Sequence, residues 1–148
     1  ANGRVLMLQG KQTEADAQFA KAAKYGRKDV SALRQIGESF LFYIPPGSKR
    51  PNLARAEEKL KEALEVNSKD YQTLMALGYC YKEMSNGGFA AQQYEYAAQL
   101  QPKNPLPQFM LAKVYKIAKI DPKFIENVDK TLAIAPNYTP ALRAKAEH

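Results

Sequence analysis

Along residues 71–104 the apolar and small side chains return in steps of three and four. Leu74, Leu77, Gly78 and Tyr81 fall on one face of a first helix, and Ala90, Tyr94 and Ala97 on one face of a second. Between them Ser85-Asn86-Gly87-Gly88 reads as turn chemistry, and Pro102 cannot continue the second helix. Gly78 and Ala90 are small, as expected where two antiparallel helices approach closely. Tyr81 and Tyr94 are large enough to fill the wider space on either side. The stretch predicts a helical hairpin.

Related patterns stand on both sides of it. Upstream, Leu33, Ile36, Gly37 and Phe40 repeat the first helix, and Ala56, Leu60 and Ala63 the second. Further upstream, Gly3 and Leu6 precede Ala15, Phe19 and Ala22. Downstream, Leu111, Ala112 and Tyr115 precede Phe124, Val128, Thr131 and Pro136, and Leu142 and Ala146 open another first helix. The organisation predicted is a single all-α array: a partial repeat over 1–29, repeats over 30–70, 71–104 and 105–138, and a partial first helix over 139–148. Asp121-Pro122 reads as a helix cap followed by proline at the first helical position.

The 34-residue period with these residues at these places resembles the tetratricopeptide repeat (TPR) family over essentially the whole chain. The resemblance implies a right-handed α-solenoid of antiparallel helix pairs, with first helices lining a concave groove that holds other proteins. Several departures stand out. The second repeat is about seven residues longer than the family unit, through a loop near residues 44–52 carrying Pro45, Pro46, Gly47 and Pro51. Sel1-like repeats also vary in this loop, which keeps that cousin family as an alternative. Arg27 and Ser68 replace the closing proline, and Phe124 and Thr131 replace small alanines, which predicts some splaying of the last hairpin. Both ends fall inside the pattern, so the chain is expected to be a piece of a longer array, with a dimer through its open ends as a consequence.

Composition narrows the function classes. Hydrophobic residues make up 45% of the 148, as in folded proteins, and no apolar run approaches the ~18 residues of a membrane span. Membrane insertion is therefore not expected. The net charge of +7 suits an acidic partner, yet the 22 basic residues are spread along the chain as helix faces usually are. Cys80 is the lone cysteine and His148 the lone histidine, so no disulfide, no His/Cys metal site and no Cys–His nucleophile are expected. Gly87-Gly88 lacks the lysine and further glycines of a phosphate loop, and Glu57-Glu58 beside Lys59 and Lys61 reads as a solvated helix surface. No catalytic residue, metal or cofactor is predicted.

The resemblance places particular residues in the groove. Carried over repeat by repeat, they are Ser31, Arg34, Gln35, Glu38, Leu41 and Phe42 in the second unit. In the third they are Gln72, Met75, Ala76, Tyr79, Lys82 and Glu83, and in the fourth Leu106, Phe109, Met110, Lys113, Lys116 and Ile117. The partial fifth adds Pro140, Arg143, Ala144 and Glu147. Phe42, Met75, Tyr79, Phe109 and Met110 predict an apolar strip, and Arg34, Lys82, Lys113, Lys116 and Arg143 a basic rim. Such a surface suits a protein or peptide with apolar anchors and acidic neighbours. The places that form a carboxylate clamp in chaperone adaptors hold Arg34, Glu38, Ala76, Leu106 and Met110 in one register. In the next they hold Met75, Tyr79, Met110, Pro140 and Ala144. Neither set supplies the paired asparagines and cations, which argues against a chaperone-tail adaptor. The function predicted is a non-catalytic protein-interaction scaffold. The alternatives are an architectural, self-associating segment of a larger bacterial assembly and an RNA-binding helical repeat. Against the last, most of the nine tyrosines take packing places and the lysines form no track, so no nucleic acid is expected.

Overall fold

The structure, a computed structural model, describes residues 29–147. The proposed first repeat and His148 lie outside them. The described residues form seven helices and no strand: α1 Val30–Phe42, α2 Leu53–Val66, α3 Tyr71–Glu83, α4 Gly87–Leu100, α5 Pro105–Ile117, α6 Asp121–Ile134 and α7 Thr139–Glu147. The chain divides into two compact units, Ala1–Cys80 and Tyr81–His148.

Helix starts are set by short polar side chains that accept the free backbone N–H groups of a first turn. Asp29 Oδ1 accepts from Ser31 N at 2.9 Å, Asn52 from Arg55 N at 3.2 Å and Asp70 from Thr73 N at 3.1 Å. Asn86 does the same for Phe89 N at 3.2 Å and Asn104 for Leu106 N at 3.0 Å, with Pro105 in the first turn of α5. Helix α6 departs from this pattern. Its cap position is Ile120, which offers no side-chain acceptor, and Asp121 is already the first helical residue. The reading of Asp121 as the cap is thus corrected by one position, and the carboxylate instead acts on the positive end of the helix dipole.

Two first helices end in the same way, 34 residues apart. Asn86 N donates to Tyr81 O at 2.8 Å and Ser85 N to Lys82 O at 3.0 Å. Ile120 N donates to Tyr115 O at 2.9 Å and Lys119 N to Lys116 O at 3.1 Å. These are Schellman motifs, whose turning residue is left-handed. That residue is Ser85 (φ 62°) in one and Lys119 (φ 61°) in the other. The glycine pair Gly87-Gly88 therefore does not make the turn, as the turn-rich sequence suggested, but starts α4. In the inserted loop, by contrast, Ser48 N donates to Pro45 O at 3.0 Å across Pro46 and Gly47. With Gly47 at φ 81°, this is a type II turn that needs its glycine.

In the first unit, α1 and α2 pack antiparallel. Arg55, near the start of α2, lies over Phe40, near the end of α1, at 5.0 Å from the ring centroid. Leu33, Ile36, Phe40 and Leu41 are buried with Ala56, Leu60 and Ala63. The helices close up at Gly37, where an added Cβ would stand 2.7 Å from Leu60 Cγ and 3.4 Å from Ala56 O. Leu41, expected in the groove, is 2% exposed and belongs to this core. A contiguous patch of the helix must face its partner, and Leu41 sits on the edge that does.

In the second unit, Lys116 lies over Phe124 at 5.3 Å and Lys123 over Tyr115 at 5.6 Å, which sets α5 and α6 antiparallel. Ala112, Phe124, Val128 and Ala141 form one buried cluster, flanked by Phe109, Tyr115 and Tyr138. The expected splaying of this hairpin is not found: α5 and α6 pack along each other as extensively as α1 and α2. Phe124 fits because Ala112 leaves the space. Thr131 fits because its hydroxyl donates to Asn127 O at 2.8 Å, so its own buried oxygen is not stranded.

Two stability predictions follow from this packing. Gly37→Ala gains about 1 kcal/mol of helix propensity but forces Leu60 aside. The net loss should be about 1 kcal/mol, read as a lower thermal midpoint, and a raised midpoint would show that the helices do not close there. Lys119→Gly removes a left-handed non-glycine residue and should add about 0.5–1 kcal/mol in urea titration.

Candidate partner-binding surface

The side chains expected to line a groove do not share one fate. In the first unit Phe42 is 64% exposed, and its ring stands 5.6 Å from that of Tyr79 in a tilted pair. Met75 is half-buried on the same helix as Tyr79. Phe42 follows Leu41 on α1, so the turn of the helix that buries one presents the other.

Arg34 is corrected as a rim cation. Its side chain is only 14% exposed, Nη1 lies 3.3 Å from Asp70 Oδ2, and Nε lies 3.5 Å from Glu38 Oε1. The same Asp70 carboxylate accepts from the backbone N–H and the hydroxyl of Thr73 at the start of α3. Arg34 thus ties α1 to the first turn of α3 and holds the cap in place. Lys82 is also largely covered and lies 3.4 Å from Glu83 Oε1.

The second unit carries a cavity of about 410 Å³. Its wall includes Phe109, Lys113 and Lys116 from α5 and Pro140, Arg143, Ala144 and Glu147 from α7. All seven were expected in the groove from the resemblance to the TPR family, and the fold brings them together. Met110 does not line the cavity and is half-buried beside it in sequence. Phe124 and Thr139 complete the wall and were not anticipated. Phe124 was legible only as an oversized residue at an alanine place; it is 2% exposed and lines the cavity from α6. Lys113 Nζ stands 5.7 Å from the Phe109 centroid and Lys116 Nζ 5.3 Å from that of Phe124. Phe109 also meets Tyr138 edge-on at 5.6 Å. Each lysine stem is thereby laid along an aromatic face with its charge still accessible.

The described residues include no cluster of three His, Cys, Asp or Glu side chains able to hold a metal, and none of their helices is long and apolar enough to cross a membrane. Cys80 is buried, and its Sγ donates to Leu53 O at 3.4 Å. Burial, and then the Glu57 charge, pushes its pKa up to about 11, so the thiolate needed for reactivity is suppressed.

Comparison with solved structures matches this arrangement of helix pairs. The crystal structure of MamA superposes with a TM-score of 0.75 at 21% identity, over 94% of this chain and 77% of that one. YrrB, a TPR protein with an unusual peptide-binding site, gives 0.74 at 22% identity, over 97% of this chain and 71% of that one. The chain has the TPR fold. TTC0263, a thermophilic TPR protein of Thermus thermophilus, agrees at 0.72 and 17% identity, over 98% of this chain and 76% of that one. No family model matches the chain, and no curated protein matches it in sequence.

If Arg34 is structural, removing its partner should cost stability. Asp70→Ala loses both a helix cap and an ion pair and should lower the unfolding free energy by about 2 kcal/mol. Asp70→Asn keeps the cap acceptor and should lose about half as much. An Asp70→Asn variant as stable as wild type in urea titration would show that the cap alone matters and that Arg34 contributes nothing.

Proposed function

We propose that this chain is a non-catalytic protein-interaction scaffold. It holds a peptide segment or partner domain against first-helix faces within a unit: α5 and α7 in the second, and Phe42 with Tyr79 in the first. The observation that carries this reading is the cavity of the second unit. There apolar aromatic wall and accessible cations coincide on the face that the repeat register assigns to binding. A solvated helix face would place charges without aromatics between them. The exposed Phe42–Tyr79 pair gives the first unit an apolar anchor of its own. Met75 and Met110 are half-buried at first-helix positions of their own units, and Lys82 is largely covered beside Glu83. Peptide binding by YrrB, a protein of the same fold, supports the class of function.

The reading predicts that Tyr79→Ala combined with Phe109→Ala abolishes retention of a partner identified by crosslinking to the wild-type chain. Both rings are half-buried at the edge of packed helices, so helical circular dichroism should remain unchanged. Undiminished retention by the folded double variant would reject these faces as the binding surface.

A further inference from the structure

We propose that the α5–α7 cavity recognises an internal acidic segment of a partner protein, through two side-chain carboxylates that flank an apolar residue. This rests on the binding surface proposed above and names the chemistry that the surface selects. Among the described residues, Lys113, Lys116 and Arg143 have no carboxylate within ion-pair distance, although the lysines and arginines at positions 34, 59, 82, 130 and 145 do. Only one carboxylate, Glu147, lies on the cavity wall. Three cations against one anion leave the site electropositive and complementary to an acidic ligand.

The placement of the two lysines decides between one carboxylate and two. Lys113 lies over Phe109, one helical turn before it on α5. Lys116 lies over Phe124, which projects from the start of α6 beside the end of α5. The two ammonium groups are therefore drawn toward opposite ends of α5 and do not converge on one point. A chain-terminal carboxylate is a single point charge that one lysine could meet. Two carboxylates spaced along a segment can meet both lysines, with Arg143 available to either. The same wall holds Phe109, Pro140 and Ala144, which offers an apolar side chain a place to lie. A volume of about 410 Å³ admits one such side chain with its neighbours. The aromatic faces restrict the lysine stems before binding, which lowers the ordering cost on association.

The test is selection of randomised internal segments, displayed between constant flanks so that no free C-terminus is offered. Enriched segments should carry two Asp or Glu flanking Leu, Met or Phe. Their affinity should fall at least about tenfold with added salt and in the Lys113→Gln/Lys116→Gln/Arg143→Gln variant, whose melting should match wild type. Enriched neutral segments whose binding is lost in Phe109→Ala would overturn this proposal and leave the binding surface standing. Absence of any enriched segment would overturn both. Preference for the same segments bearing a free C-terminal carboxylate would overturn the internal-segment claim. Equal capture of random-sequence RNA, lost in the triple variant, would replace it with a nucleic-acid surface.

Discussion

Close approach of paired helices is the constraint on which the rest of this structure depends. At Gly37 the backbone of α1 comes so near Leu60 and Ala56 that a single methyl group would overlap a buried side chain. At the corresponding place in the second unit Ala112 faces Phe124 within one buried cluster. Small residues on one helix and large ones on its partner set how near the axes come, and that spacing decides which side chains remain outside. Phe42 is outside because Leu41 is inside. Phe124 packs beside Ala112 in one buried cluster and lines the cavity.

The same economy governs the charges. Arg34 and Asp70 are placed where two helix ends and a cap meet, and their pairing holds α3 to α1. Lys113, Lys116 and Arg143 stand on the equivalent faces of later helices, but no carboxylate of the described residues comes within ion-pair distance. Basic side chains of similar register thus divide into a structural group and an accessible one. The division follows from what stands opposite: Asp70 at the start of α3 for Arg34, aromatic rings for Lys113 and Lys116. An overall charge of +7 carries no such distinction.

The repeat is more faithful in backbone than in side chains. The paired Schellman motifs recur 34 residues apart, with serine at the left-handed position in one and lysine in the other. The cap that follows is Asn86 in one and Ile120 in the other. Low identity to MamA, YrrB and TTC0263 beside close superposition is the same phenomenon between proteins. The hairpin geometry is set by helix length, small-residue placement and buried volume, and many surface choices satisfy it.

The order of helices, their approximate ends and the 34-residue period were determined by the sequence itself, because steps of three and four residues fix a face locally. Seven of the nine residues of the α5–α7 cavity could be named from the resemblance to the TPR family, which assigns those first-helix places to one face, while Phe124 and Thr139 could not. Tertiary structure alone decided the rest. Whether Thr131 would open its hairpin depended on a hydroxyl finding Asn127 O, and whether Phe124 would do so depended on the space beside Ala112. Whether Arg34 was a free cation depended on Asp70, 36 positions away in the chain. A periodic pattern specifies which way a side chain points along its own helix. It does not specify what another helix brings to meet it, and in this protein that meeting separates core from surface and bound charge from available charge.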